Sequence, residues 1–401
     1  MKLYDDLLWR GLVKDISNPE IENLLNNEVV TFYWGTDPTA DSLHLGHYSS
    51  LVTAKRLARA GHKPILLVGG ATGLIGDPRP TAEREIISYE TVQNNIEGIR
   101  KQIDKIFDGK AKLVNNYDWT KDYSYLDFLR DIGKYINVNY MLDKDIIRRR
   151  LETGITYAEF SYTLIQGNDF LELFNRENCI LQVEGSDQWG NITTGIELIK
   201  KKTGKEAYGF TMPLILDQNG NKFGKSEGNA LWLDINKTPA YKLYQYLINT
   251  DDSKVIEYLK VFTFLTREEI EKIEEEFKKQ PENRLAQKTL AFEVVKDLHG
   301  EEEALKAKKT SEEVFSKGYS EEGMLEETIN INDNTNLMDL LVLSKIAPSK
   351  SEARRLIEGN GISINSNKQT NPIILVKDLT NENSLIVSKG KKTHIKVTLV
   401  K

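Results

Sequence analysis

A strand–helix–strand order near the N-terminus is the sequence feature that most restricts the possible fold. The apolar run Val29–Tyr33 predicts a buried strand, and a helix is predicted from His44 to a glycine cap at Gly61. Pro64–Val68 predicts a second buried strand. Two strands separated by one helix indicate a βαβ unit, whose strands run parallel. We therefore expect an α/β fold with a Rossmann-like parallel sheet, in which ligands bind beyond the carboxyl ends of the strands.

Four segments are predicted along the 401 residues. Residues 1–232 form the Rossmann-like domain, with further strands at Ile180–Val183 and Leu214–Leu216 and a helical insertion at about 110–165. An all-α domain follows at 233–316. Residues 317–336, in which Gly, Ser, Asn and Asp accumulate, are predicted to be a linker. Residues 337–401 are predicted to be a small α+β module.

The composition is that of an ordinary globular protein, with 39% hydrophobic and 28% charged residues. No apolar run has the length of a membrane span, and the N-terminus lacks the apolar stretch of a signal peptide. The single cysteine excludes an internal disulfide and argues against a zinc site. We therefore expect a cytoplasmic protein with no membrane partner and no protein-bound metal.

Charge is distributed unevenly along the chain. Residues 337–401 contain eleven Lys and Arg against five Asp and Glu, which gives this segment a net charge of +6. Because the whole chain carries −6, the rest of the chain carries −12. A basic module on an acidic body is typical of proteins in which one module contacts a phosphate backbone. A solvated tail without a partner is the alternative.

The tetrapeptide His44-Leu45-Gly46-His47 stands at the start of the predicted helix. A helix N-terminus offers unpaired amides and a partial positive charge, both suited to phosphate. His44 and His47 share a face at i and i+3, and Gly46 would let a flat adenine approach the backbone. Two capping histidines with no ligand are the alternative, and a metal pair lacks a third ligand nearby.

Two other segments carry candidate ligand-binding residues. Lys222-Phe223-Gly224-Lys225-Ser226 places two lysines around a glycine, so that they can close over a pyrophosphate leaving group. A solvated basic turn is the alternative for this segment. The glycine-rich stretch Gly69–Asp77 follows a predicted strand but lacks the Gly-Lys-Ser/Thr end of a Walker A sequence. Asp77 could accept from an ammonium group or simply form a turn before Pro78.

These segments, in this order, resemble class I aminoacyl-tRNA synthetases, with His44–His47 similar to the HIGH motif and Lys222–Ser226 to the KMSKS motif. Longer stretches resemble the bacterial tyrosyl-tRNA synthetase family, and a segment near the C-terminus resembles an S4-type RNA-binding module. The similar stretches are Phe32–His47, Gly69–Pro78, Phe160–Tyr162, Gly185–Asn191 and, for the S4-type module, Ser349–Ile357. The resemblance covers nearly the whole chain.

The resemblance implies an amino-acid pocket formed by Tyr33, Asp37, Asp77, Tyr162, Gln166, Asp169 and Gln188. Tyr33 and Asp169 would hold a phenolic hydroxyl. Tyr162, Gln166 and Asp77 would hold the α-ammonium, Asp37 would organise the pocket, and Gln188 would lie near the carboxylate. Apart from the resemblance, Tyr162, Gln166 and Asp169 share one helix face by their spacing, although such a face can equally be exposed to water.

The resemblance also implies an ATP site. Thr39, His44 and His47 would face the phosphates, and Lys222 and Lys225 would clamp the pyrophosphate. The implied ATP-binding residues are Gly46, Asp187 near the ribose, Gln188 near the α-phosphate, Lys225, Ser226 and Arg84. The familiar family pattern after Asp77 is longer and contains lysines. Here Arg79 and Arg84 are the available cations, and either could serve the triphosphate.

The implied function is the attachment of L-tyrosine to tRNA(Tyr) in two steps, with ATP and its Mg²⁺ counter-ion as substrate and tyrosyl-adenylate as intermediate. The implied fold adds an anticodon-binding role for 233–316 and an S4-like role for 337–401. The implied RNA contacts are Lys350, Arg354, Arg355, Lys391 and Lys392. A homodimer through the insertion is also implied. The alternatives are a tryptophanyl-type synthetase, a synthetase-derived non-catalytic RNA-binding protein and a small nucleotidyltransferase.

Overall fold

A computed structural model describes residues 1–78, 87–226, 229–317, 325–380, 382–390 and 393–400. The chain folds into two compact units. Met1–Asp234 and Asp251–Lys279 form the first unit, and Ile235–Thr250 and Gln280–Lys401 form the second.

A central sheet organises the first unit. Its described strands are β1 (Asp15–Ile16), β2 (Thr31–Thr36), β3 (Lys63–Val68), β4 (Lys112–Asn115), β5 (Cys179–Gly185) and β6 (Tyr208–Met212). They lie in the order β1-β6-β5-β2-β3-β4, and all neighbours are parallel except β1 and β6. The strand order reverses between β2 and β5, which is where a ligand crevice forms in such sheets. The parallel sheet that the sequence predicts is confirmed.

Helices cover the sheet of the first unit. They are α1 (Leu3–Trp9), α2 (Ile21–Asn27), α3 (Leu45–Arg59), α4 (Tyr89–Ile106), α5 (Tyr117–Thr120), α6 (Tyr125–Asp131), α7 (Val138–Leu142), α8 (Asp145–Thr153), α9 (Tyr157–Glu177) and α10 (Trp189–Thr203). Their apolar residues recur every three or four positions, as in α4, where Val92, Ile96, Ile99 and Ile103 are buried. A core cluster joins Tyr33 and Ile65 of the sheet to Phe170 of α9.

Several elements differ from the sequence predictions. The short strands β1 and β4 were not predicted, because two and four residues give too little periodicity to detect. β4 lies at the start of the predicted insertion, and α5 to α8 follow it. The strand predicted at Leu214–Leu216 is wrong, since only Leu216 makes a bridge, to Lys222. The strand in this region is β6, and a small hairpin of β7 (Lys225–Ser226) and β8 (Asn229–Ala230) follows.

The first unit also takes up two helices that the sequence assigns to the all-α segment 233–316. These are α12 (Val255–Phe262) and α13 (Arg267–Lys279). The physical reason is aromatic packing. The Phe262 ring lies 4.5 Å from that of Phe223 and 6.0 Å from that of Tyr48 on α3, centroid to centroid. The compact units therefore do not divide the chain at 233.

The second unit contains a helical part and a sheet. The helices α11 (Ala240–Ile248), α14 (Leu285–His299) and α15 (Glu301–Lys317) pack on one another. The remaining described elements are β9 (Leu325–Asn330), α16 (Leu337–Leu343), α17 (Lys350–Glu358), β10 (Ile362–Ile364), β11 (Asn367–Lys368), β12 (Ser384–Lys389) and β13 (Thr393–Val400). The strands form a sheet in the order β11-β10-β12-β13-β9.

The predicted linker 317–336 needs correction, because its second half contains β9. This strand pairs in parallel with β13, and Ile329 is buried in the core beneath the sheet. The polar residues around β9 hide the strand pattern, since Ile329 is the one buried side chain among residues 326–330. Among the described residues, no helix is both long and apolar enough to span a membrane.

Candidate active site

The two histidines at the start of α3 cap the helix reciprocally. The Gly46 amide donates to Nδ1 of His44 at 3.1 Å, and the His44 amide donates to Nδ1 of His47 at 3.2 Å. The two imidazoles stack with centroids 3.9 Å apart. Because each Nδ1 accepts a backbone N–H, the proton of each neutral ring lies on Nε2. The capping that the sequence offers as an alternative is therefore present, with the proton of each neutral ring on Nε2.

The lysine-containing loop lies directly on this helix start. The Leu45 amide donates to the Leu231 carbonyl at 2.7 Å, and the Leu231 amide donates to the Gly224 carbonyl at 3.1 Å. Gly224 has φ +88°, and a Cβ there would lie 2.7 Å from the Gly46 nitrogen. The two motifs, distant in sequence, thus meet backbone to backbone at two glycines. The space over Gly46 is occupied by the His44 ring and the Phe223 carbonyl rather than being open to a flat base.

Tyr33 and Asp169 are both 1% exposed, and the charge of Asp169 acts on the Tyr33 hydroxyl. Asp169 accepts from Nδ2 of Asn116 and from Nε1 of Trp119, each at 2.9 Å. The Tyr33 hydroxyl has no hydrogen-bond partner among the described residues. Asn116 and Trp119 were missed by sequence reasoning. Recognition of β4 would have identified Asn116, which follows this strand at the ligand-binding edge of the sheet.

Burial controls the ionisation of this pair. It raises the pKa of Asp169 to about 7, against the lowering effect of the hydrogen bonds from Asn116 and Trp119. The pKa of Tyr33 is raised well above its ordinary value. Burial is the largest cause, and the negative charges of Asp169 and Glu184 add to it. Tyr33 is therefore a neutral hydroxyl, able to donate and accept, beside a carboxyl that titrates near neutrality.

A network of hydrogen-bonded polar side chains extends from Asp169 to Asp37 and Tyr162. The Tyr162 hydroxyl donates to Asp37 at 3.0 Å, and the Thr72 hydroxyl donates to the other Asp37 oxygen at 2.7 Å. Asn116 donates to Thr72 at 3.1 Å, which joins these residues to Asp169. Thr72 received no role from the sequence, although it lies in the glycine-rich stretch.

Asp77 and Gln188 form a second hydrogen-bonded group. Gln188 donates to Asp77 at 3.0 Å, and its side-chain carbonyl accepts from Asn191 at 2.8 Å. Asn191 in turn accepts from the Thr163 hydroxyl at 2.9 Å. Asn191 therefore fixes the orientation of the Gln188 amide, a role that its position in the 185–191 motif did not reveal.

Two further polar atoms in this region are buried without a partner among the described residues: Oε1 of Gln166 and Nε2 of Gln182. Gln182 pairs with Tyr33 in the sheet register, so the two side chains project from the same face. Unpaired buried polar atoms cost free energy unless a ligand satisfies them. Together with the Tyr33 hydroxyl, they indicate a cavity that binds a ligand bearing several polar groups.

The remaining predicted residues lie at the rim or outside the described part. Thr39, Asp187 and Lys222 are exposed, and Lys225 and Ser226 lie in β7. Arg79 and Arg84, the candidate triphosphate cations, lie outside the described residues, as do Lys391 and Lys392. No group of three His, Cys, Asp or Glu in the described segments could hold a metal ion.

Three of the five predicted RNA-contacting residues, Lys350, Arg354 and Arg355, lie on α17. Ser349 caps α17, and Arg354 is exposed. Lys350 pairs with Asp339 at 2.6 Å, and Arg355 pairs with Glu352 at 2.8 Å. Exposed pairs of this kind contribute little to stability and can exchange for phosphate.

The parallel sheet, the reciprocal histidine cap and its contact with the lysine loop define a class I aminoacyl-tRNA synthetase. A family model described as tRNA synthetases class I (W and Y) matches residues 25–316, and one described as the tyrosine–tRNA ligase SYY-like C-terminal domain matches residues 321–397. The chain belongs to the tyrosine–tRNA ligase family, as the identities with its relatives show.

Two curated relatives span the whole chain. A tyrosine–tRNA ligase of Streptococcus pyogenes serotype M49 is 44% identical over 420 residues, covering 99% of this chain and 100% of the relative. One from Streptococcus uberis is 45% identical with the same coverage. A solved structure, the C-terminally truncated mitochondrial tyrosyl-tRNA synthetase of Aspergillus nidulans, has a TM-score of 0.70 and 33% identity. The match covers 78% of this chain and 94% of the Aspergillus nidulans chain.

Proposed function

We propose that this chain attaches L-tyrosine to tRNA(Tyr), by way of a tyrosyl-adenylate formed from ATP. The observation that carries the proposal is the buried pair of Tyr33 and Asp169. The neutral Tyr33 hydroxyl lacks a partner among the described residues, and the Asp169 carboxyl accepts hydrogen bonds from two donors. A phenolic hydroxyl can donate to the carboxylate and accept from Tyr33, which satisfies both groups.

The preference for tyrosine over other amino acids follows from the polar groups that another substrate would leave without a hydrogen-bond partner. Phenylalanine in the same place would leave the Tyr33 hydroxyl buried without a partner and would give Asp169 no donor from the substrate, which costs several kcal/mol. A rejection factor of about 10⁵ is already established for tyrosyl-tRNA synthetases as a class. Tryptophan carries a single N–H donor, so it cannot supply the acceptor that the Tyr33 hydroxyl needs. These arguments favour tyrosine over the tryptophanyl-type alternative.

The amino group and carboxylate of tyrosine are assigned to the opposite end. Tyr162, Gln166 and Asp77 receive the ammonium, and the unpartnered Oε1 of Gln166 can accept one of its protons. Gln188, held by Asn191, lies beside Asp77 and directs the carboxylate towards the α-phosphate. Catalysis of the first step then consists of positioning and of stabilising charge on a pentacoordinate phosphate.

The phosphates are assigned to the start of α3. Nε2 of His44 and Nε2 of His47 donate to the phosphate oxygens, and Lys222 and Lys225 neutralise the departing pyrophosphate. Thr39, Asp187, Ser226 and Arg84 complete the proposed ATP site, whereas Gly46 serves the packing of the lysine loop on α3. Mg²⁺ enters with the triphosphate as part of the substrate, because this ion prefers phosphate oxygens and water to a dedicated protein cage.

The second step transfers the tyrosyl group to the terminal adenosine of the tRNA. We assign anticodon binding to the helical segment within 233–316. We assign RNA contact to the C-terminal module, through Lys350, Arg354, Arg355, Lys391 and Lys392. Cations on such a module bind phosphates, so the interaction weakens as salt rises. We propose a location in the cytoplasm, because the full-length relatives are bacterial tyrosine–tRNA ligases.

A homodimer is proposed through the insertion. Large apolar side chains are exposed there: Tyr125 at 66%, Leu126 at 73% and Tyr157 at 62%. None of the α6 residues is buried, although the helix is rich in apolar residues. An exposed apolar surface of this kind is typical of a protein interface.

An aminoacylation assay tests the function. Full-length protein, ATP, Mg²⁺ and total tRNA from a bacterium should give tRNA charged with labelled tyrosine and not with labelled tryptophan. The matched control is Tyr33→Phe, which removes only the unpartnered hydroxyl and should lower the rate with tyrosine. Charging with tryptophan, or no charging, would contradict the proposal.

A further inference from the structure

The two central strands of the first unit separate before they end. The ladder between β2 and β5 stops at the pair Tyr33 and Gln182. β2 continues its pairing with β3 as far as Thr36, and β5 continues with β6 as far as Gly185. The last residues of β2 and β5 therefore border a crevice, at the point where the strand order reverses.

A buried carboxyl side chain bridges that crevice. Glu184, 6% exposed, lies two residues after Gln182 on β5 and accepts a hydrogen bond from the Gly35 amide of β2. Gly35 lies two residues after Tyr33. The hydrogen bond between the Glu184 side chain and the Gly35 amide therefore takes the place of the next backbone hydrogen bond between β2 and β5. It spans the gap between the two separated strands.

A carboxyl in this position needs an explanation, because burial of an ionisable group is unfavourable. Burial raises the pKa of Glu184 well above its ordinary value, and the negative charge of Asp187 adds to this effect, while the Gly35 hydrogen bond opposes it. An apolar side chain would avoid this penalty but could not accept the Gly35 N–H.

The bridge connects the two loops that hold the substrates. Asp37, two residues after Gly35, is held by Tyr162 and Thr72. Gln188, four residues after Glu184, is held by Asp77 and Asn191. The first loop continues to the histidine cap of α3, so both proposed substrate-binding loops begin at the strand ends that Glu184 joins.

We propose that Glu184 is a positioning residue for adenylate formation, whose carboxyl ties the separated ends of β2 and β5 and fixes the spacing of the two substrate loops. This inference rests on the proposed function. It assigns to Glu184 no contact with substrate. A displacement of about 1 Å between reacting groups is enough to lower a rate about 100-fold.

Three variants of the full-length chain test the inference. Glu184→Gln keeps an acceptor for the Gly35 amide, whereas Glu184→Leu and Glu184→Ala remove it. The Leu and Ala variants should form tyrosyl-adenylate about tenfold more slowly or worse, while the Kd for tyrosine measured without ATP changes less than about threefold. The Gln variant should retain most of the rate. The readouts are single-turnover adenylate formation and calorimetric titration with tyrosine.

Ser17→Ala is the matched control, because the Ser17 hydroxyl also accepts from a strand amide, that of Gly209 at 2.9 Å, away from the crevice. It should leave the rate unchanged. Wild-type rates in the Leu and Ala variants would overturn the inference, as would a Gln variant that is folded but as slow as Leu. A wild-type chain without tyrosine-dependent adenylate formation would instead refute the proposed function.

Discussion

The indole Nε1 of Trp119 lies 2.9 Å from Oδ1 of Asp169 and donates a hydrogen bond to it. This contact joins the insertion to the helix that carries three of the predicted tyrosine-binding residues. Since Asn116 occupies the other oxygen, the carboxyl cannot rotate away from Tyr33 without losing a bond.

Trp119→Phe keeps the aromatic packing and removes this donor. A hydrogen bond to a charged group contributes about 1.5–3 kcal/mol, so we expect the preference for tyrosine over phenylalanine to fall by roughly 10-fold or more. The measurement is the ratio of kcat/KM for the two amino acids in adenylate formation. Trp9→Phe, on α1, is the control. An unchanged ratio would show that Trp119 does not orient the carboxyl.

Tyrosine binding should depend on the ionisation of Asp169. With its pKa raised to about 7, this carboxyl is mostly protonated below neutrality and ionised above it. The ionised form is the better acceptor for the substrate hydroxyl, so the Kd for tyrosine should fall as pH rises through about 7 and then level off. Calorimetric titrations between about pH 5.5 and about pH 8.5 measure this, with Asp169→Asn as the control that lacks the step. Identical profiles would refute the assignment.

His44 combines a structural and a catalytic role, and two substitutions separate them. His44→Asn keeps a good N-cap for α3, whereas His44→Ala removes the cap at a cost of about 1 kcal/mol. Both remove the Nε2 donor, so both should slow adenylate formation to a similar extent while the Kd for tyrosine barely changes. Thermal unfolding should distinguish them, with only the Ala variant destabilised. Full activity in the Asn variant would limit His44 to capping.

Gly224 allows the lysine loop to rest on the start of α3. Gly224→Ala introduces strain at φ +88° and a contact of 2.7 Å with the Gly46 nitrogen, so the loop must move. Gly220 has a similar φ of +82°, and a Cβ there would meet nothing within 4 Å, which makes Gly220→Ala the matched control. We expect Gly220→Ala to lose about 1 kcal/mol of stability from backbone strain and Gly224→Ala to lose more, and only Gly224→Ala to lose most of its activation rate. Equal rates would contradict the contact's role.

The exposed apolar residues of the insertion should hold the dimer together. Leu126→Glu places a charge on a residue that is 73% exposed in one chain, so it should yield monomers in sedimentation or light-scattering measurements. Leu305→Glu changes a residue that is 52% exposed on α15 and should leave the dimer intact. Monomeric wild-type protein, or dimeric Leu126→Glu, would exclude this surface as the interface.

Periodicity explains which parts of the fold could be predicted. β2, α3 and β3 carry strong apolar patterns, and the spacing of Tyr162 and Asp169 places them on one face of α9 in any helix. Short elements such as β4 carry too few residues for a pattern, so Asn116 beyond its end could not be recognised.

The remainder depends on contacts between distant segments. Trp119 reaches Asp169 across 50 positions, and Glu184 reaches Gly35 across 149. Neither pairing leaves a local signal, because each residue alone resembles an ordinary core or surface residue. The close approach of Gly224 to Gly46 is of the same kind.

The most direct test of the central claim, that the Tyr33 and Asp169 end of the pocket selects tyrosine, is exchange of labelled pyrophosphate into ATP with each of the twenty amino acids, without tRNA. We expect exchange with tyrosine alone. Exchange with tryptophan or phenylalanine at a comparable rate would contradict the assignment of the pocket, and exchange with none would contradict the proposed activity.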